Sequence, residues 1–64
     1  MSFDYVVFVG NSVDAMEPEI ASPTEQDAIL LAKSLQDEFS FVEVTYMPEK
    51  DLDTNTVVYA NFTR

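Results

Sequence analysis

One segment of this sequence has the apolar spacing of an amphipathic helix, and segments with the character of β-strands lie on both sides of it. At about 100° per residue, five apolar side chains fall within one arc of roughly 100°. They are Ala28, Leu31, Ala32, Leu35 and Phe39. Leu30 falls near the opposite side, beside Lys33 and Asp37. The pattern predicts a helix that runs to about Glu38 or Phe39 and packs one face on a core.

The start of this helix is predicted from a capping box. The Ser22 side chain can accept a hydrogen bond from a backbone N–H of the first turn. The side chain of Glu25, three residues later, can accept one from the Ser22 backbone N–H. Pro23 suits the first helical position, where no backbone N–H is needed. We therefore expect Ser22 to be the N-cap.

The segment before the helix predicts two strands, of which the second is weak. From Phe3 to Val9 the chain is rich in aromatic and β-branched residues, with Val6 and Phe8 facing away from the other apolar side chains. A strand that is apolar on both faces is usually central or has a partner over its second face. Gly10-Asn11 predicts a two-residue hairpin turn. The return strand would be residues 12–16, ended by Glu17-Pro18-Glu19.

The segment after the helix predicts a hairpin. Phe41 to Met47 alternates, with Val42, Val44 and Tyr46 on one face, as in a half-buried strand. Residues 48–55 are a polar loop, and residues 56–62 form a final strand. We therefore expect an α+β fold in a single small domain covering residues 1–64. Its order is β-β-α-β-β, or β-α-β-β without the weak strand, with one amphipathic helix on one face of a mainly antiparallel sheet.

Charge and composition exclude several classes of function. Twelve Asp and Glu stand against three Lys and Arg, a formal charge of −9. Such a polyanion does not neutralise phosphates, so direct binding to nucleic acid or to an anionic membrane surface is excluded. Without histidine or cysteine the chain has no zinc finger, thiol nucleophile or imidazole base. Apolar residues at 47% favour a folded domain over disorder. We expect a non-enzymatic protein with no cofactor and no metal.

The acidic loop before the last strand partly matches a calcium-binding loop. Asp51, Asp53 and Asn55 supply the first three ligands at alternate positions. Thr56 then stands where the turn needs glycine, and Phe62 where the bidentate Glu belongs. A solvated hairpin loop is the better interpretation. Since Met1-Ser2-Phe3-Asp4 lacks the basic start of a signal peptide and no run approaches ~20 apolar residues, we expect a cytoplasmic protein.

The acids are dispersed over the chain, which predicts a charged binding surface. Asp37 and Glu38 lie near the end of the helix, where the helix dipole disfavours negative charge. Leu30 is an apolar candidate anchor among the charges, as are Phe8 and Tyr46. The residues predicted to bind a partner are Glu17, Glu19, Asp27, Leu30, Asp37, Glu38, Glu43, Glu49, Asp51 and Asp53.

In length, charge and α+β pattern the whole chain resembles small acidic anti-defence proteins encoded by phages, including DNA-mimicking anti-CRISPR proteins. The resemblance rests on these whole-chain features and assigns no residue a role. It implies an inhibitor that acts in the host cytoplasm. Its partner would be a basic nucleic-acid-binding protein or complex of the host, such as a nuclease or a CRISPR effector, whose nucleic-acid-binding surface it occupies.

Two other interpretations remain open. In the first, the chain is a small protein-binding module or antitoxin-like neutraliser that uses an apolar interface, and an uncovered sheet face would also allow a homodimer. Alternatively, it is an acidic protein from a salt-adapted organism, in which the charge serves solvation and no mimicry occurs.

Overall fold

The computed structural model describes residues 3–48 and 55–62, in which four strands and one α-helix follow one another. The strands are β1 (Tyr5–Gly10), β2 (Glu17–Ser22), β3 (Phe41–Tyr46) and β4 (Thr56–Phe62). The helix, α1 (Glu25–Leu35), lies between β2 and β3, and a short 3₁₀ turn (Val13–Ala15) lies between β1 and β2. The β-β-α-β-β order of an α+β domain is therefore confirmed.

All strand pairs are antiparallel, in the spatial order β2-β1-β3-β4. β1 is a central strand, as its two apolar faces predicted. Because β2 and β3 both run antiparallel to β1, they point the same way, and α1 crosses the sheet to connect them. The helix packs mainly over β1 and β3.

The core lies between α1 and the sheet. Val7, Val42 and Val44 are fully buried there, and each contributes about 1.5–3 kcal/mol by leaving water. Ala28 and Ala32 of α1 are also fully buried against them. Leu31, Leu35 and Phe39 pack around this cluster, which confirms the predicted helical stripe.

The predicted second strand is wrong. Residues 12–16 form a connection that contains the 3₁₀ turn, and the strand is Glu17–Ser22, the segment expected to break it. Pro18 is tolerated because β2 is an edge strand, where a backbone N–H facing away from the sheet is not needed. A bulge opposite Val7 and Phe8 accommodates the irregularity.

The predicted Gly10-Asn11 hairpin is also wrong, and Gly10 is needed for a different reason. A Cβ atom at Gly10 would lie 2.9 Å from the carbonyl oxygen of Ala15 and 3.0 Å from Cα of Met16. The connection to β2 therefore folds directly against the end of β1, and only glycine leaves room for it.

The helix is shorter at both ends than its sequence pattern predicted. Its N-cap is Thr24, whose Oγ1 accepts a hydrogen bond from the Asp27 N–H at 3.2 Å, so the prediction of Ser22 is wrong. Ser22 is buried as the last residue of β2. At the other end, the N–H groups of Glu38 and Phe39 both donate to the Leu35 carbonyl, at 2.9 and 3.1 Å. This closing turn holds Phe39 on the core although the helix has ended.

Candidate functional site

Most acidic side chains of the described residues point into solvent. Of the 12 acids, nine lie in residues 3–48; Glu49, Asp51 and Asp53, all predicted to bind a partner, lie outside the described residues. Seven of the nine are exposed, while Asp4 and Glu43 are half-buried. Lys33 is the one Lys or Arg within residues 3–48 and 55–62, so this part of the surface is almost uniformly negative.

Four of these acids lie at one end of the sheet. The strand register pairs Val9 with Glu17 and Gly10 with Phe41, which puts the end of β1 beside the starts of β2 and β3. The turn after α1 is attached to this end, because the Ser40 N–H donates to Oδ1 of Asn11 at 3.2 Å. We call this group the acidic end. It consists of Asp14, Glu17, Asp37 and Glu38.

The acidic end unites only part of the predicted set. It contains Glu17, Asp37 and Glu38, and it adds Asp14, which the sequence did not single out as a site residue. Asp27 lies in the first turn of α1, at the opposite end of a helix about 16 Å long. There its backbone N–H has a local role in the Thr24 cap.

The predicted apolar anchors are also separated. Leu30 is 60% exposed, as expected from its place on the polar side of α1. Tyr46 instead lies on the helix side of the sheet, where its ring centroid is 4.8 Å from that of Tyr5. It is half-buried and packs inside the domain, away from the acidic end.

The sheet surface opposite α1 forms a second candidate site, which we call the open face. Val6 and Phe8 point there because they alternate with the buried Val7 and Val9. Their cross-strand partners share that face. The open face includes Val6, Phe8, Pro18, Ala21, Phe41, Glu43, Thr45, Val57, Ala60 and Phe62, with Met16 and Met47 at its margin.

Two adjoining hollows cover much of the open face. One, of about 400 Å³, is lined by Val6, Pro18 and Ala21 with the carboxylate-bearing Glu19. The other, of about 260 Å³, is lined by Met16, Thr45 and Val57 with Glu43. Phe8 and Met47 line both, so the hollows form one continuous apolar surface. No lysine or arginine of the described residues lines either hollow.

Exposure on the open face is graded. Val6 and Thr45 are buried, Phe8, Met16 and Met47 are half-buried, and Val57 is 51% exposed. The alternation of Val6 and Phe8 with the core valines was the sequence signal for this surface. Met16, Met47 and Val57 join it only through the strand register and the connections, which the sequence pattern did not specify.

The described residues contain neither a cluster of metal-ligating side chains nor a helix able to span a membrane. Within the ranges 3–48 and 55–62, no group of three or more acidic, histidine or cysteine side chains could hold a metal ion. The partial calcium-loop pattern at Asp51 and Asp53 lies outside those ranges. The helix of the described residues is too short and too polar to cross a membrane. What the surface offers chemically is negative charge beside an accessible apolar face.

No protein-family model, curated protein sequence or solved structure matches this chain.

Proposed function

We propose that this chain is a non-enzymatic acidic inhibitor that occupies the basic nucleic-acid-binding surface of a host defence protein. The partner class is a nuclease or a CRISPR effector complex, and the chain, as a phage-encoded protein, acts on it in the host cytoplasm. Its carboxylates take the place of nucleic-acid phosphates in the partner's Lys/Arg-lined groove. Charge steering would make the association fast and would set the orientation of the complex.

The observation that carries this proposal is the acidic end. The fold places four carboxylates, from two separate connections and the start of β2, at one end of the sheet, and a tail of equal charge would lack that fixed arrangement. Asp37 and Glu38 follow the C-cap of α1, where the helix dipole disfavours each by about 0.3–1 kcal/mol. A local rule broken without compensation is a signature of a functional surface.

A second candidate function is supported by the open face. Apolar side chains that remain accessible on one side of a four-stranded sheet favour a protein-binding module whose affinity comes from an apolar interface. In this alternative the negative charge only orients the partner, and the partner need not bind nucleic acid.

The test is competition with nucleic acid. A fluorescently labelled DNA duplex is bound to a purified nuclease and, separately, to a Cas9-type effector–guide complex, and the chain is titrated in while anisotropy is followed. We expect the chain to displace the DNA, with inhibition that weakens steeply between about 50 and 200 mM salt. If the chain displaced DNA from none of a panel of basic nucleic-acid-binding proteins, the proposal would be overturned.

A matched pair of charge reversals tests the acidic end itself. The double variant Asp37→Lys/Glu38→Lys should weaken inhibition by about tenfold or more, because two carboxylates that face the partner are replaced by cations. The control, Glu25→Lys/Asp27→Lys, changes the net charge equally at the other end of α1 and should weaken inhibition far less. Equal loss in both variants would indicate a response to net charge alone. Circular dichroism checks that both variants fold.

A further inference from the structure

We infer that the open face is the docking site for a cationic amphipathic helix of the partner protein. The inference rests on the proposed function in one respect, that the partner is basic. It adds which surface is used and what chemistry the docked segment must have.

The architecture leaves this face available. A sheet in a small domain normally buries its apolar faces against other layers. Here α1 covers the face that carries Val7 and Val44, and within residues 3–48 and 55–62 no second helix covers the face that carries Val6 and Phe8. A helix has a diameter of about 10–12 Å with its side chains, which is similar to the width of three neighbouring strands.

The charges on the open face indicate which side chains the docked helix must carry on either side of its apolar stripe. Phe8 pairs with Pro18 on one side and with Glu43 on the other, and Glu19 follows Pro18 in the bulge. The apolar centre therefore has one carboxylate-bearing residue on each side, two strand spacings or roughly 10 Å apart. Lysine or arginine on both flanks of an apolar helical stripe would reach both carboxylates.

The side chains around Phe8 can adapt to the apolar side chains of a docked helix. Met16 and Met47 lie at the margin of the hollows, and unbranched methionine adapts to irregular partners. Val57 adds exposed apolar surface from the edge strand β4. Accessible methionines beside an aromatic anchor are typical of surfaces that receive amphipathic helices.

A second copy of this chain does not fit the same face. Each copy carries a formal charge of −9, and a two-fold contact between open faces would bring equivalent patches, Glu43 and Glu19 included, against each other. An anionic lipid surface is repelled by the same charges. Charge complementarity therefore selects a cationic occupant.

The probe for the experiment is a synthetic Leu/Lys amphipathic helix of about 18 residues, compared with oligolysine of equal length. Binding is measured by isothermal titration calorimetry at low and high salt. We expect oligolysine binding to be lost at high salt, whereas the amphipathic helix keeps measurable affinity because part of its free energy comes from apolar burial. Equal loss of both at high salt overturns the inference.

Two substitutions of similar chemistry locate the contact. Val57→Asp places a carboxylate on the open face, and Leu30→Asp does so on the outer side of α1, where the starting side chain is similarly exposed. We expect Val57→Asp to weaken binding of the amphipathic helix by about tenfold and Leu30→Asp by less than about twofold. The reverse order, or equal effects, overturns the inference.

A measurement on the unsubstituted chain keeps the inference testable if Val57→Asp fails to fold. The ¹³C-methyl NMR signals of Met16 and Met47, assigned with Met16→Leu and Met47→Leu, should shift on addition of the amphipathic helix. Unchanged signals under saturating conditions overturn the inference, as would a dimer in light scattering that Val57→Asp dissociates.

The outcomes also separate this inference from the proposed function. If Asp37→Lys/Glu38→Lys abolishes competition with DNA while Val57→Asp changes nothing, the inhibitor function stands and the open face is not the docking site. If the amphipathic helix docks as expected but no nucleic-acid-binding protein releases its DNA, the docking site stands and the inhibitor function fails.

Discussion

The backbone N–H of Ser40 donates a hydrogen bond to Oδ1 of Asn11 over 3.2 Å, across 29 positions of sequence. This bond joins the connection after β1 to the turn after α1. Those two segments and the adjoining start of β2 carry the acidic end, so this amide side chain links the two connections that contribute to it.

Replacing this amide should loosen the acidic end. We expect Asn11→Ala to lower the free energy of unfolding by about 0.5–1.5 kcal/mol, because the hydrogen bond between the Asn11 side chain and the Ser40 N–H is lost. The control is Asn11→Asp measured at about 1 M NaCl, where the oxygen acceptor is kept and salt screens the added carboxylate from the acidic end, and we expect a smaller loss there. Urea denaturation followed by circular dichroism measures both. Equal stability of Asn11→Ala and the unsubstituted chain would show that this hydrogen bond contributes nothing.

The tight contact at Gly10 gives a second prediction. Gly10→Ala puts a methyl group within 3.0 Å of backbone atoms of Ala15 and Met16, which a side-chain rotation does not relieve. Overpacking of this kind costs about 1–3 kcal/mol. We therefore expect a lower urea midpoint, with the slope of the transition unchanged. An unchanged midpoint would mean that the connection can move away from β1 freely.

Periodicity in the sequence predicted the helix and the strands in which apolar and polar residues alternate clearly between faces. β1, β3 and β4 were found near their observed bounds, and the buried positions Ala28 and Ala32 were found on α1. β2 was missed because Glu17-Pro18-Glu19 has the composition of a strand breaker, which an edge strand tolerates. The N-cap was misplaced because Ser22 and Thr24 both have suitable side chains, and only tertiary structure commits Ser22 to the sheet.

The candidate site was less predictable than the fold. Its acids were identified one by one, but whether they share a surface depends on strand order and on contacts such as Asn11–Ser40. The open face was predictable only from Val6 and Phe8, since Met16 and Met47 lie in connections and Val57 reaches it through the register with Thr45. Local patterns carry no information on such long-range pairings.

A bifurcated acceptor connects α1 with the edge strand β4. Oε1 of Gln36, the C-cap residue, accepts hydrogen bonds from the Tyr59 hydroxyl at 2.8 Å and from Nδ2 of Asn61 at 2.7 Å. Gln36→Ala removes both bonds and Tyr59→Phe removes one. We expect losses of about 1–3 and 0.5–1.5 kcal/mol respectively in urea denaturation.

The double variant tests whether Gln36 and Tyr59 stabilise the fold through a direct interaction or independently of each other. Gln36→Ala/Tyr59→Phe should be less destabilised than the sum of the single variants, because the Tyr59–Gln36 bond is counted in both. Strict additivity would contradict a direct interaction between the two side chains.

Stability at alkaline pH should depend on Tyr5. Burial, then the charge of Glu25, then Tyr46 and Asp4, raise the pKa of the Tyr5 hydroxyl above its ordinary value of 10.0. The folded chain thus holds this proton more tightly than the unfolded chain, so the stability linked to it is fully present below about pH 10 and is lost as pH rises through the folded-state pKa.

The comparison with Tyr5→Phe isolates this group. In urea denaturation from about pH 8 to pH 11, the free energy of unfolding of the unsubstituted chain should fall more steeply above pH 10 than that of Tyr5→Phe. Parallel pH profiles would contradict the raised pKa of Tyr5.

Salt dependence separates a binding surface from adaptation to brine. The described residues contain nine acids and one cation, Lys33, so repulsion among the negative charges opposes folding. Between about 10 and 150 mM NaCl the Debye length falls from roughly 30 to 8 Å, which should raise the free energy of unfolding by on the order of 1 kcal/mol. The chain is expected to be folded at the lower concentration already. Glu17→Gln/Glu38→Gln, which removes two charges from the acidic end, should show a smaller gain with salt. A chain that unfolds below molar salt would instead indicate that its acids serve solvation in concentrated brine, and the proposed mimicry would lose its physical basis.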